Sequence, residues 1–88
     1  MTERVIDVRG LCWGPPIIAA SEAVRWLDAN DTFVLMTDKS SVIRDMEAWA
    51  RITRNQIVDI VEEGGGVHFI RIRRLASCTM SPQRTNPT

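Results

Sequence analysis

Apolar and polar positions change period several times along the chain, and each change marks an element. Arg4 to Val8, RVIDV, alternates and is rich in β-branched residues, which predicts a strand. Pro15 and Pro16 then suit a helix start, where no amide donor is needed and a fixed φ is already helical. Ile17, Ala20, Val24 and Leu27 recur at spacings of three and four, forming one helical stripe. Asn30 and Asp31 break it. Thr32 to Thr37, TFVLMT, is a nearly unbroken apolar run, as expected of a strand covered by helices. DKSS, from Asp38, offers N-cap oxygens to a second helix whose face is Val42, Met46, Trp49, Ala50 and Thr53. Asn55 is expected to close that helix in a left-handed conformation. QIVDIVEE and VHFIRIRR read as two strands joined across Gly64, Gly65 and Gly66.

The order is therefore β-α-β-α-β-β. Right-handed crossovers place both helices on one face of a mixed four-stranded sheet. The fold class is α+β, a two-layer α/β sandwich with its other sheet face open. One domain is expected over residues 1–74. Residues 75–88 are Ser/Thr/Pro-rich and aperiodic, which predicts a mobile tail.

Eighty-eight residues can bury only one modest core. Eleven basic and eleven acidic residues cancel, so no global field favours nucleic acid or an anionic membrane. No apolar run is long enough for a membrane span, and MTERVIDV has no basic-then-apolar signal pattern. A cytoplasmic location with reduced thiols is expected, because the two cysteines form no disulfide framework.

The candidate chemistry lies in GLCWGPPII, Gly10 to Ile18. Cys12 stands just before a proline-started helix, where free amides and the helix dipole favour an anion. A thiolate is the nucleophilic form of cysteine, and such a setting lowers its pKa. Arg9 is close enough in sequence to help. The opposing reading is a small buried apolar residue, since free cysteine is among the most buried types. Trp13 is either filler around the sulfur or a partly exposed anchor for a partner. Arg71, Arg73 and Arg74 form a basic strand end, which either resists edge aggregation or docks an acidic partner. No aromatic run accompanies them, so nucleic acid is not an expected partner. Cys78 reads as an exposed thiol, and His68 as a structural or solvated residue. Neither a metal site nor a hydrolytic set of side chains can be assembled.

Over Arg4 to Arg73 the sequence resembles the TusA/SirA family of small sulfur carriers. That family's first motif is Asp-x-x-Gly-Leu-x-Cys-Pro-x-Pro, and Asp7, Gly10, Leu11 and Pro16 match it in place. Asp38, Arg44, Asp45, Met46 and Trp49 match its second landmark, an acidic loop and an Arg-Asp-hydrophobic step. The resemblance implies a carrier that holds sulfur as a cysteine persulfide and needs no cofactor. It implies a protein donor, such as a cysteine desulfurase, and a protein acceptor on a route to tRNA thiolation, cofactor synthesis or sulfur oxidation. A monomer or weak dimer is expected. Aligned without gaps, the family's cysteine falls on Trp13 and its first proline on Gly14. Either Cys12, one place earlier, carries the sulfur, or the chain is a binding module that contacts a partner through the Trp13 loop. The residues so implicated are Cys12 as the carrier, with Arg9, Trp13, Gly14, Pro16, Asp38, Arg71 and Arg73 in binding.

Overall fold

The computed structural model describes residues 3–11 and 14–75. It contains β1 (Arg4–Asp7), α1 (Gly14–Arg25), β2 (Thr32–Thr37), α2 (Ser40–Thr53), β3 (Gln56–Glu63) and β4 (Val67–Arg73). The sheet order is β1-β2-β4-β3, so the last strand inserts between the second and third. β1 and β2 are parallel, and β4 is antiparallel to both β2 and β3. β3 therefore runs in the direction of β2, and both helices are crossovers between parallel strands. Both start from the same end of the sheet, where β1 and β2 finish.

One layer of apolar side chains joins helices to sheet. Ala20 and Ala23 of α1, with Val42, Met46, Trp49 and Ala50 of α2, pack on Phe33, Leu35, Ile70 and Ile72. Trp49 also donates from Nε1 to Ser21 Oγ at 3.1 Å, which fixes the two helices to each other. Trp26 lies just beyond the end of α1 and is 77% exposed.

Two expected helix ends differ in detail. None of the DKSS side chains caps α2: the N-cap is Lys39, with no side-chain cap bond. The Asp38 carboxylate is engaged elsewhere, and the Thr37 hydroxyl accepts from the Lys39 amide at 3.1 Å. At the other end the left-handed residue is Arg54, at φ 63°, rather than Asn55. The Asn55 amide bonds back to the Ala50 carbonyl at 2.9 Å, and this closure needs the left-handed turn one residue earlier.

The hairpin between β3 and β4 closes at the Glu63–Val67 pair, with Gly65 and Gly66 at positive φ. A register shift between Ile57 and Asp59 interrupts the outer strand β3, as suits an exposed edge. β4 leads into Arg74, whose guanidinium donates to the Val24 carbonyl at 3.1 Å and the Leu27 carbonyl at 2.6 Å. The end of the last strand thus supplies a donor to the Leu27 carbonyl just past α1 and a second donor to the Val24 carbonyl, which also accepts from the Leu27 amide at 3.2 Å.

Candidate functional site

The site region begins where β1 ends. The Val8 amide donates to the Met36 carbonyl at 2.8 Å, a last link to β2, and the Val8 side chain is buried. The chain then reverses, with the Leu11 amide donating to the Val8 carbonyl at 3.1 Å. Gly10 is the third residue of this turn, at φ +79°, as a type II turn requires. A Cβ there would meet open space, so the backbone dihedral, not crowding, is what selects glycine.

Two carboxylates hold the turn. Asp7 Oδ1 accepts from both the Arg9 amide and Arg9 Nε at 3.0 Å, and Asp7 Oδ2 accepts from Arg9 Nη2 at 2.9 Å. This hydrogen bonding to Arg9 holds the Asp7 carboxyl below the usual carboxylate range. The same bond, followed by the charge of Asp7, raises the Arg9 pKa, with a smaller contribution from Asp38. Asp38, just past β2, accepts from the Gly10 amide at 2.9 Å through Oδ1. Arg9 is therefore already chelated by Asp7.

Gly14 opens α1, and Pro16, in its first turn, is fully buried. Proline at this position seats the start of the helix in the core without leaving an amide unsatisfied. The first turns of α1 and α2 stand at one end of the sheet, where their free amides and dipoles favour negative charge. Cys12 and Trp13 connect the turn to α1 and lie outside the described residues, as does Cys78.

A groove of about 520 Å³ starts at Gly14 and runs between the two helices. Ile17 and Ile18 line one side, and Asp45, Trp49 and Ile52 the other. Ile18 is 59% exposed and Ile52 79%. Of the residues lining this groove, only Gly14 is among those the sequence implicates in binding. The groove's signal was present, as apolar residues standing beside the core stripe of each helix.

Residues 4–74 match the family described as Sulfurtransferase TusA. The chain belongs to the TusA family. It is 32% identical over 69 residues to the sulfur carrier protein TusA of Allochromatium vinosum, covering 77% of this chain and 90% of that protein. Its fold is similar to the crystal structure of a SirA-like protein from Desulfitobacterium hafniense. The TM-score is 0.72 at 20% identity, over 82% of this chain and 97% of that one. The TusA-family motif residues Asp7, Gly10 and Asp38 come together around one turn in this structure, although Asp38 is 28 positions from Gly10.

The remaining expected residues lie elsewhere. Arg71 faces Val34 across the β2–β4 ladder, and Arg73 faces Thr32. At about 3.3 Å per residue, these positions are roughly 13 and 20 Å along the sheet from Asp38. Arg71 donates to Glu3 at 2.8 and 3.2 Å and to Asp59 at 3.0 Å, clasping β1 to β3 across the open sheet face. Hydrogen bonds from Arg71 and then Thr32 hold the Glu3 carboxyl below its ordinary range, and the bond to Glu3 raises Arg71. Val34 lies in the same hollow, 5% exposed although the face is open. Arg73 donates to Gln56 at 3.2 Å. Among the described residues no group of three or more His, Cys, Asp or Glu is placed to hold a metal ion, and no helix is long and apolar enough to cross a membrane.

Proposed function

We propose that this TusA-family chain is a cytoplasmic sulfur carrier with Cys12 as its carrier thiol. The observation that carries the reading is position: Cys12 is the single cysteine within residues 4–74, the part matching the family. It directly follows the turn held by Asp7 and Asp38, and it precedes the first residue of α1 by two places. In loading, the Cys12 thiolate attacks the outer sulfur of a donor persulfide. A new S–S bond forms on Cys12, the donor S–S bond breaks, and the donor leaves as a thiolate. In delivery, an acceptor thiolate attacks the terminal sulfur of the Cys12 persulfide and releases the Cys12 thiolate. Sulfane sulfur moves with no net oxidation in either step. The donor is a protein such as a cysteine desulfurase, and the acceptor is another protein thiol. The groove beginning at Gly14 supports a protein partner, because a protein docking there would meet the exposed Ile18 and Ile52.

A second reading rests on Trp13, which occupies the place of the family's cysteine. There the chain is a binding module that has lost the carrier chemistry. One experiment separates the two: incubation with polysulfide, followed by intact mass measurement. Reducible sulfur adducts are expected on the wild type and on Cys78→Ser, and none on Cys12→Ser. Adducts confined to Cys78, or absent altogether, leave the binding module as the reading that stands.

A further inference from the structure

We propose that the hollow between the C-terminal ends of the two helices is a binding site for a phosphate group. The inference stands apart from the carrier reading, because the hollow lies at the end of the sheet opposite the Gly10 turn. Both helices start where β1 and β2 finish, so both end at the other end of the sheet. β4 is antiparallel to β2 and finishes there as well. Arg25 ends α1, Arg54 closes α2, and Arg74 directly follows β4. The chain has no net charge, yet these three arginines from three elements line one open hollow of about 310 Å³, together with Ser21 and Asn55.

The positive charge there is not neutralised from within. No carboxylate is among the described residues lining the hollow. Among the described residues the ion pairs are those of Arg9 and Arg71, so Arg25, Arg54 and Arg74 have no acidic partner. The sequence that follows supplies none either, since residues 76–88 contain no Asp or Glu.

The C-terminal ends of helices ordinarily disfavour an anion, because they expose carbonyls. Here those carbonyls are engaged. The Thr53 hydroxyl donates to the Trp49 carbonyl at 2.7 Å, and the Arg54 and Asn55 amides share the Ala50 carbonyl. Arg74 Nη1 donates to the Val24 and Leu27 carbonyls. Those two bonds also hold the Arg74 guanidinium in place, which leaves Nε and Nη2 as donors in a preorganised fork. Ser21 Oγ accepts from Trp49 Nε1, so its own hydrogen is left to donate. Three cations around one hollow call for more charge than the single one of a carboxylate. A phosphate group carries up to two charges and three oxygens, and its geometry matches arginine forks. A small phosphate ester and the backbone of RNA share that chemistry.

The test titrates the full-length protein with inorganic pyrophosphate at constant ionic strength and follows amide chemical shifts. The Arg25, Arg54 and Asn55 amides are expected to move together and to saturate. In the double variant Arg25→Gln, Arg54→Gly the Kd is expected to rise about tenfold or more, through loss of charge-assisted hydrogen bonds. Glycine at position 54 adopts the left-handed φ of 63° without strain, so the helix closure is retained. Arg4→Gln, which removes one charge from the edge strand β1, is expected to change the Kd by less than about twofold, since an exposed charge outside the site is screened. Single-stranded RNA as a second probe separates the sources. RNA bound more tightly than pyrophosphate, and released in the double variant, supports the site and assigns it to a nucleic-acid backbone. Pyrophosphate bound more tightly supports the site and assigns it to a small phosphate ester. An unchanged Kd in the double variant would overturn the proposal. So would shifts of equal size at Arg4 and Arg44, or a polyglutamate peptide bound as tightly as pyrophosphate.

Discussion

Glu3 and Arg71 show how a charged residue on the open face of a sheet acquires a structural role. Arg71 reaches Glu3 with two nitrogens and Asp59 with a third, and the Thr32 hydroxyl donates to Glu3 at 2.6 Å. Each bond favours the ionised carboxylate, so the Glu3 pKa lies below its ordinary value of 4.5. The folded protein therefore binds the Glu3 proton more weakly than the unfolded chain. The resulting stabilisation is complete above the unfolded value and is lost as pH falls through the lowered folded value. Because the pair is partly exposed and screened by solvent, its contribution is small. Urea midpoints measured at pH 7 and pH 3 should converge somewhat in Glu3→Gln relative to wild type. An acid sensitivity equal to that of wild type would place the ion pair outside the energetics of folding.

At the scale of elements, the two helices are held by different means. α2 closes on itself through Arg54 and the Asn55 amide, whereas the end of α1 depends on a residue about fifty positions later. Arg74→Ala strips the Val24 and Leu27 carbonyls of a charged donor. The Val24 carbonyl keeps the Leu27 amide, so the loss falls on the Leu27 carbonyl. It should cost about 1–3 kcal/mol in urea unfolding, the range for a part-buried polar group left without its partner. Arg74→Lys, with a single cationic group in place of the fork, should recover part of it. A neutral result for Arg74→Ala would mean that water replaces the guanidinium at these carbonyls without loss. The helix faces were legible from periodicity, as with Val42, Met46 and Trp49. The capping roles were not, because the DKSS oxygens and Asn55 satisfy the same local pattern whichever of them is used.

On the scale of the whole molecule, β4 and the Arg74 bonds to the end of α1 are the last features of the described fold. Among the described residues the buried core reaches no further than Ile72, and the family match stops at residue 74. Ending the chain after Leu75 is therefore expected to leave the thermal midpoint nearly unchanged. A large fall on calorimetry would show that residues 76–88 contribute to the folded state. What the amino-acid order determined by itself was everything repeated at short range. The alternation of RVIDV, the stripe of Ile17, Ala20 and Val24, and the glycines of the hairpin specify elements and their succession. Handed crossovers then place both helices on one sheet face. Tertiary structure alone decided which distant residues meet. β4 enters beside β2 rather than at the sheet edge, and this brings Arg71 over Val34 between Glu3 and Asp59. The parallel pairing of β1 with β2 brings Asp38 to Gly10. It also sets Arg71 and Arg73 well along the sheet from that turn. The reason is physical: periodicity encodes which face of an element is apolar, which is a local property. Hydrogen-bond partners 28 or 68 positions apart depend on strand order and register, which the collective burial of the core selects.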